Sequence, residues 1–107
     1  MTSIRARNVN HPEHRENLKA DKYHIIREAM LSTLPLEEWM PFSTLEERVR
    51  AYLVEKDLPK SLFPKPGSVR WYCKAVQLDL EARGEIERQP KKSPLRLRRC
   101  REDRPGL

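Results

Sequence analysis

The fold class this sequence predicts is α+β, three helices closed by a small antiparallel sheet, and three observations carry that expectation. Apolar residues recur at helical spacing in three separate stretches. The third stretch stops at a glycine, Gly84, and is followed by two short segments in which apolar and charged residues alternate around a proline-bounded turn. With 107 residues, 37% of them apolar and 36% charged, the chain has the material for one hydrophobic core and a well-solvated surface.

Taken in order, residues 1–18 mix Asn, His, Pro and charge without periodicity, and a flexible N-terminal arm is expected there. From Asp21 the spacing of Tyr23, Ile26, Met30 and Leu34, widened by Ile25 and Ala29, predicts the first helix. Pro35 ends it, because its ring clashes with the preceding turn and it donates no N–H. Trp39-Met40-Pro41-Phe42 is a short apolar run whose proline restricts it to an edge strand. Ser43 and Glu46 stand in capping-box spacing and predict the start of a second helix, with Leu45, Val49, Tyr52 and Leu53 as its buried stripe and Pro59 as its stop.

The stretch from Leu62 through Phe63, Pro64, Lys65 and Pro66 to Gly67 reads as a rigid connector, its apolar residues tucked under the third helix. That helix is expected over residues 68–83. Gly84 can take the left-handed conformation that terminates a helix without steric cost. Two apolar stripes run along it. Val69, Tyr72, Cys73, Val76 and Leu80 form one, while Trp71, Ala75, Leu78 and Ala82 form another about 145° away at about 100° per residue. Arg70, Lys74, Gln77 and Glu81 make a polar line between them. Ile86 between Glu85 and Glu87, a turn at residues 90–94, and Leu95-Arg96-Leu97-Arg98 then predict a hairpin with leucines inward and arginines outward. Helix, short strand, helix, helix, hairpin is the order of a winged helix, a three-helix bundle with a small antiparallel sheet. It is expected over residues 19–99, followed by a basic disordered tail at 100–107.

The net charge of +6 is unevenly placed. Residues 91–107 carry +5 and residues 1–22 carry +2, while residues 23–90 sum to −1. A nearly neutral body with a cationic end suits an anionic polymer, although a solubilising tail has the same composition. The polar line of the third helix is where a helix-turn-helix protein makes base contacts. Arg70 and Lys74 suit guanine edges or phosphates, Gln77 suits adenine, and Lys65 precedes the helix. On the hairpin, Lys91, Lys92, Arg96 and Arg98 are candidates for phosphate contact. Trp71, Ala75 and Leu78 form the face best suited to a protein partner or self-association, unless the arm or the first helix covers it. Glu46 and Glu47 count against DNA, because carboxylates at that helix end repel phosphate.

Catalysis is not expected. His11 and His14 lack a third ligand for a metal, and with only Gly67, Gly84 and Gly106 there is no phosphate-cradling loop. Cys73 falls in a core stripe, and Cys100, though among arginines, has no base near it in sequence. No cofactor is implied. No apolar run approaches the ~18 residues of a membrane span and the first ten residues hold no signal core, so a soluble cytoplasmic protein is expected.

Residues 76–88, Val-Gln-Leu-Asp-Leu-Glu-Ala-Arg-Gly-Glu-Ile-Glu-Arg, resemble the end of the third helix and the first wing strand of many bacterial winged-helix regulators. There a Leu-Glu pair, two residues and a glycine precede an apolar strand. More closely, residues 8–99 resemble a family of small bacterial proteins known only as a domain of unknown function. The shared pattern is Lys22-Tyr23 opening the first helix, Leu62-Phe63-Pro64, Trp71 at the start of the third helix, and the 76–88 segment. The resemblance implies a fold and leaves DNA, RNA and protein partners open. The expected function is DNA binding, as a small transcriptional regulator. The competing expectations are a protein-interaction module or homodimer built on Trp71, and a tail that adsorbs nucleic acid without sequence preference.

Overall fold

Two antiparallel sheets and three helices share one core in the computed structural model, which describes residues 3–11, 13–65, 67–91 and 93–100. The chain begins with a hairpin, β1 (Ser3–Ala6) paired with β2 (Glu16–Lys19) in the register Ile4↔Leu18 and Ala6↔Glu16. The flexible arm expected over residues 1–18 is therefore corrected for the described part of that segment. Ile4, Ala6 and Leu18 share one face by the period-two alternation of a strand, and Ala6 and Leu18 are buried in the core. Within the intervening turn, the Asn8 side chain accepts the backbone N–H groups of Asn10 and His11. Asx turns of this kind fold a polar loop without apolar residues, which is why composition gave no sign of it.

β2 runs directly into α1 (Ala20–Thr33), which buries Tyr23, Ile26, Ala29 and Met30. Leu34 leaves the helix in an extended conformation ahead of Pro35. The end of the chain's last strand covers this terminus: the Arg99 N–H donates to the Pro35 carbonyl at 2.8 Å, and its Nε to the Leu34 carbonyl at 2.9 Å. A two-residue strand, β3 (Met40–Pro41), leads into α2 (Phe42–Glu55). The expected capping box is absent. Pro41 holds the N-cap position, no side chain caps the helix, and the Phe42 N–H instead donates to the Leu95 carbonyl at 2.9 Å. The adjoining strand thus takes over part of the work a serine cap would do, and it frees Glu46 for arginines.

α2 ends at a left-handed residue, Asp57 at φ 51°, and the Leu58 N–H turns back to the Leu53 carbonyl at 3.1 Å. A 3-10 turn, Lys60–Leu62, follows. Phe63 packs edge-on against Tyr72 and touches the core, as expected of the connector. α3 (Ser68–Ala82) buries Val69, Cys73, Val76 and Leu80, and closes on Gly84 at φ 78°, a conformation open to glycine without a Cβ clash. β4 (Ile86–Arg88) and β5 (Arg96–Arg99) form the last hairpin, with Ile86 and Leu97 inward. β5 also pairs with β3, so the second sheet has the order β3-β5-β4 and Pro41 sits on an edge strand, where its missing N–H is tolerated.

Two carboxylates, one of them fully buried, fasten the layers. Asp79 on α3 has no exposure and accepts the Arg7 backbone N–H at 2.7 Å, the Tyr23 hydroxyl, and the Arg83 Nε at 2.9 Å. One side chain therefore joins the N-terminal hairpin, α1 and α3. Burial, then the bond to Asp79 and its negative charge, push the Tyr23 phenol well above its ordinary range. Arg27 on α1 pairs with Glu85 at the foot of β4.

Candidate nucleic-acid interface

A helix with a 3.6-residue repeat that buries Val69, Cys73, Val76 and Leu80 must present residues 70, 71, 74 and 75 on its other side. Arg70 keeps 73% of its side-chain surface in solvent, and its nearest acid is Glu46 on α2, with Nε 3.5 Å from Oε1. Glu46 is itself held by Arg50 at 2.9 Å, so one carboxylate faces two guanidiniums. Lys74 is exposed, its ammonium 5.4 Å from the centre of the Phe42 ring. Partial burial lowers its pKa, and the positive charge of Arg88 lowers it further, against an upward pull from Glu81. Arg88 belongs to β4, so the electrostatic reach of the hairpin extends to this face of α3. Lys65 is exposed just before the helix, and its carbonyl accepts both the N–H and the hydroxyl of Ser68.

Gln77 departs from the sequence expectation. It is fully buried, and its amide nitrogen donates to Glu81. Glu81, only 4% exposed, is gripped by Arg88, whose Nη2 lies 2.8 Å away. β4 covers the C-terminal half of the polar line, so Gln77 cannot reach a base edge without unpacking the hairpin. A helical wheel cannot see this, because the cover comes from a strand later in the chain.

The hairpin candidates separate in the same way. Lys91 is exposed at the tip in a left-handed conformation, φ 56°, and Arg96 is exposed on β5. Arg98 is corrected from an outward phosphate contact to an internal one: its Nε donates to Glu87 at 2.7 Å and its guanidinium lies 4.1 Å from the Trp39 ring centre. Glu87 and Arg98 stand directly opposite in the register, where opposite charges attract. The alternation of residues 85–87 held that signal, but it becomes readable only once the hairpin register is fixed. Lys92 lies outside the described residues, as does the tail from residue 101 onward.

Trp71 is 49% exposed and packs edge-on against Tyr72. Together with Ala75, Leu78 and Lys74 it lines one side of a cleft of about 200 Å³, and Arg7, Asn8, His14 and Glu16 of the N-terminal hairpin line the other. Sequence reasoning missed this hairpin contribution, including the exposed Arg7, because residues 1–18 read as a flexible arm. The proposed partner face is thus flanked by the hairpin without being covered by it. His14 contacts Glu16 at 3.1 Å, and among the described residues no three His, Cys, Asp or Glu side chains are placed to hold a metal ion. Burial, and secondarily the negative charge of Glu46, push the Cys73 thiol up to about 12, which suppresses the thiolate. No helix among the described residues is long and apolar enough to cross a membrane.

This α+β arrangement, with basic side chains standing out from the first two turns of α3, can now be set beside known proteins. The model of the family described as "Family of unknown function (DUF6958)" matches residues 3–97, and the chain belongs to that family. The match includes the N-terminal hairpin. No curated protein matches the chain, and no solved structure does.

Proposed function

We propose that this protein is a non-catalytic nucleic-acid-binding protein of winged-helix type that engages duplex DNA with the start of α3 and with the β4–β5 hairpin. The observation that carries the reading is the exposure of Arg70 and Lys74 on the first two turns of α3, beside a hairpin that presents Lys91 and Arg96. Recognition helices touch base edges chiefly through their N-terminal residues, and the wing of such folds follows phosphates. The sheet order β3-β5-β4, with the short strand before α2 joining the far strand of the hairpin, supports the winged-helix assignment. Glu46 is less of an obstacle than its sequence position implies, because Arg50 and Arg70 compensate its charge.

Five cations then face the duplex: Lys65, Arg70, Lys74, Lys91 and Arg96. If each neutralises one phosphate, the slope of log K against log salt is about −4.5. Titration of ~30-bp duplexes at two salt concentrations measures it. Arg70→Glu with Lys74→Glu should weaken binding by several kcal/mol, at ~1–3 kcal/mol per contact, and reduce the slope by about 2. Unchanged affinity in the double variant would remove α3 from the mechanism.

A second reading rests on Trp71. A half-exposed tryptophan beside Ala75 and Leu78 suits a protein partner or a second copy of the chain. Sedimentation of the wild type and Trp71→Ala separates the readings: a dimer lost on substitution favours self-association, and a monomer throughout excludes it.

A further inference from the structure

The Trp71 cleft has walls of two different kinds, and each contributes a cation. On the helical wall Trp71, Lys74, Ala75 and Leu78 follow one another at helical spacing. The opposite wall comes from the N-terminal hairpin, where Arg7 directly follows β1. The Arg7 main chain is fixed in place, because its N–H donates to the buried Asp79 of α3 at 2.7 Å. Its side chain is exposed all the same, and neither Arg7 nor Lys74 has an ion-pair partner among the described residues. Glu16 is the acid of the lining, and His14 contacts it at 3.1 Å. Two cations against one acid leave an excess of positive charge. Arg70, one turn before Lys74, adds to it, because Arg70 and Arg50 share the single carboxylate of Glu46.

The surface that these cations border is aromatic. Trp71 is 49% exposed, and its edge-on contact gives at most one face of the indole to Tyr72. The cleft, at about 200 Å³, is smaller than the ~300 Å³ at which small-molecule pockets begin, so it takes one flat ring and leaves the rest of its ligand outside. A nucleotide chain has that form: each base is a flat ring carried between two phosphates, and stacking on an aromatic side chain needs no particular sequence. We propose that the cleft holds one unpaired nucleobase against Trp71, with the flanking phosphates at Arg7 and Lys74, so that the protein favours a duplex bordered by single strand. An aromatic side chain of a protein partner would fill the cleft as well, but it would leave Arg7 and Lys74 without their anions. The inference rests on the nucleic-acid reading of α3, because Lys74 serves both.

The test titrates the full chain, by fluorescence anisotropy, with a labelled ~30-bp duplex in three forms: blunt, with an unpaired thymidine tail, and with an abasic tail of equal length. The thymidine tail should bind about tenfold more tightly than the abasic one and should quench tryptophan emission. Trp71→Ala should abolish the difference between the tails, and Trp71→Phe should retain most of it. Arg7→Gln, which keeps the N–H that Asp79 accepts, should reduce the salt slope of the thymidine-tailed form by about 0.7. Equal affinity for the two tails, or a difference that survives Trp71→Ala, would overturn the proposal, while binding of the blunt duplex would leave the reading of α3 standing. If no form binds, both fall together. The comparison of tails on the wild type decides the question whether or not Trp71→Ala folds. A dimer in sedimentation that Trp71→Ala dissolves would assign the cleft to a second copy and overturn the proposal equally.

Discussion

Asp79→Ala is the substitution whose consequence the structure specifies most closely. Asp79 is fully buried and accepts from three donors on three segments: the Arg7 backbone N–H, the Tyr23 hydroxyl and the Arg83 guanidinium. Alanine leaves the buried Tyr23 hydroxyl and the part-buried Arg7 N–H without their acceptor, and an unsatisfied donor costs roughly 1–3 kcal/mol, with the Arg7 N–H toward the lower end. Arg83 is about one-third exposed and can turn to water, so its share stays below about 1 kcal/mol. The expected loss is therefore about 4 kcal/mol, a large fraction of the ~5–15 kcal/mol that holds a domain together. In urea unfolding, with a slope of ~1–3 kcal/mol/M, the midpoint should fall by about 2 M. Tyr23→Phe removes one donor and should cost less. In that background Asp79→Ala should become milder by at least about 1 kcal/mol, because one orphan has already gone. A midpoint shift under about 0.5 M, or strict additivity of the two substitutions, would refute the idea that this carboxylate fastens the N-terminal hairpin to the helices.

Three other outcomes follow from charges and burial. Tyr23 and Cys73 both have their proton affinity raised in the folded state, the thiol from 9.0 to about 12 and the phenol upward from 10.0. Their contribution is intact below the unfolded values and declines as pH climbs past about 9 and then about 10, because the unfolded chain ionises first. The urea midpoint should therefore fall between pH 8 and pH 10.5, and Tyr23→Phe should reduce that fall. Glu46→Gln should tighten duplex binding a few-fold at low salt, since it removes the carboxylate 3.5 Å from Arg70 and a charge that repels phosphate; weaker binding in a gel-shift titration would contradict the proposed docking. Truncation after Cys100 should keep the fold, whose last backbone bond described runs from the Cys100 N–H to the Glu85 carbonyl at 2.9 Å. It should also preserve sequence preference in a specific-against-scrambled titration; losing all binding would hand the interaction to the tail.

What the sequence disclosed follows from how far apart the interacting residues lie. The Tyr23-Ile26-Met30-Leu34 repeat needs only local spacing, and the helix, its stop at Pro35 and its buried face all agree with the structure. Pro41 on an edge strand and Gly84 at the close of α3 were legible for the same reason, because a ring without an N–H and a residue without a Cβ restrict their own backbone. The capping box failed where a distant group intervened: Leu95, more than fifty residues away, supplies the acceptor for Phe42. Gln77 and Arg98 failed alike. Each looked outward on its own element; Gln77 bonds Glu81 one turn on, which Arg88 of β4 holds in place, and Arg98 bonds Glu87 across the hairpin, and in both cases the sheet supplies the group that the helix or strand alone does not show. The N-terminal hairpin escaped notice because its strands are four residues each and its turn is built from polar side chains.

The same pairings decide which cations are available for a partner, and this bears on function more than the net charge does. Arg27, Arg83, Arg88 and Arg98 are each bound to a carboxylate on another turn or another element. A sum over the body near zero therefore does not describe a surface of zero potential: it describes cations spent inside the fold and others left standing out. Arg70 has only a shared acid at 3.5 Å, and Lys74 feels a net downward push on its proton affinity from burial and Arg88. Burial is the larger part of that push, and the Arg88 part is opposed by the Glu81 carboxylate that holds Arg88. On the proposed reading, Arg70 and Lys74 are the cations that a phosphate polymer would meet at the start of α3, although that chain segment is nearly neutral. Unpacking β4 from α3 would free Gln77, yet it would also break the Glu81–Arg88 pair and leave Glu81, a negative charge, beside Lys74 on the same face.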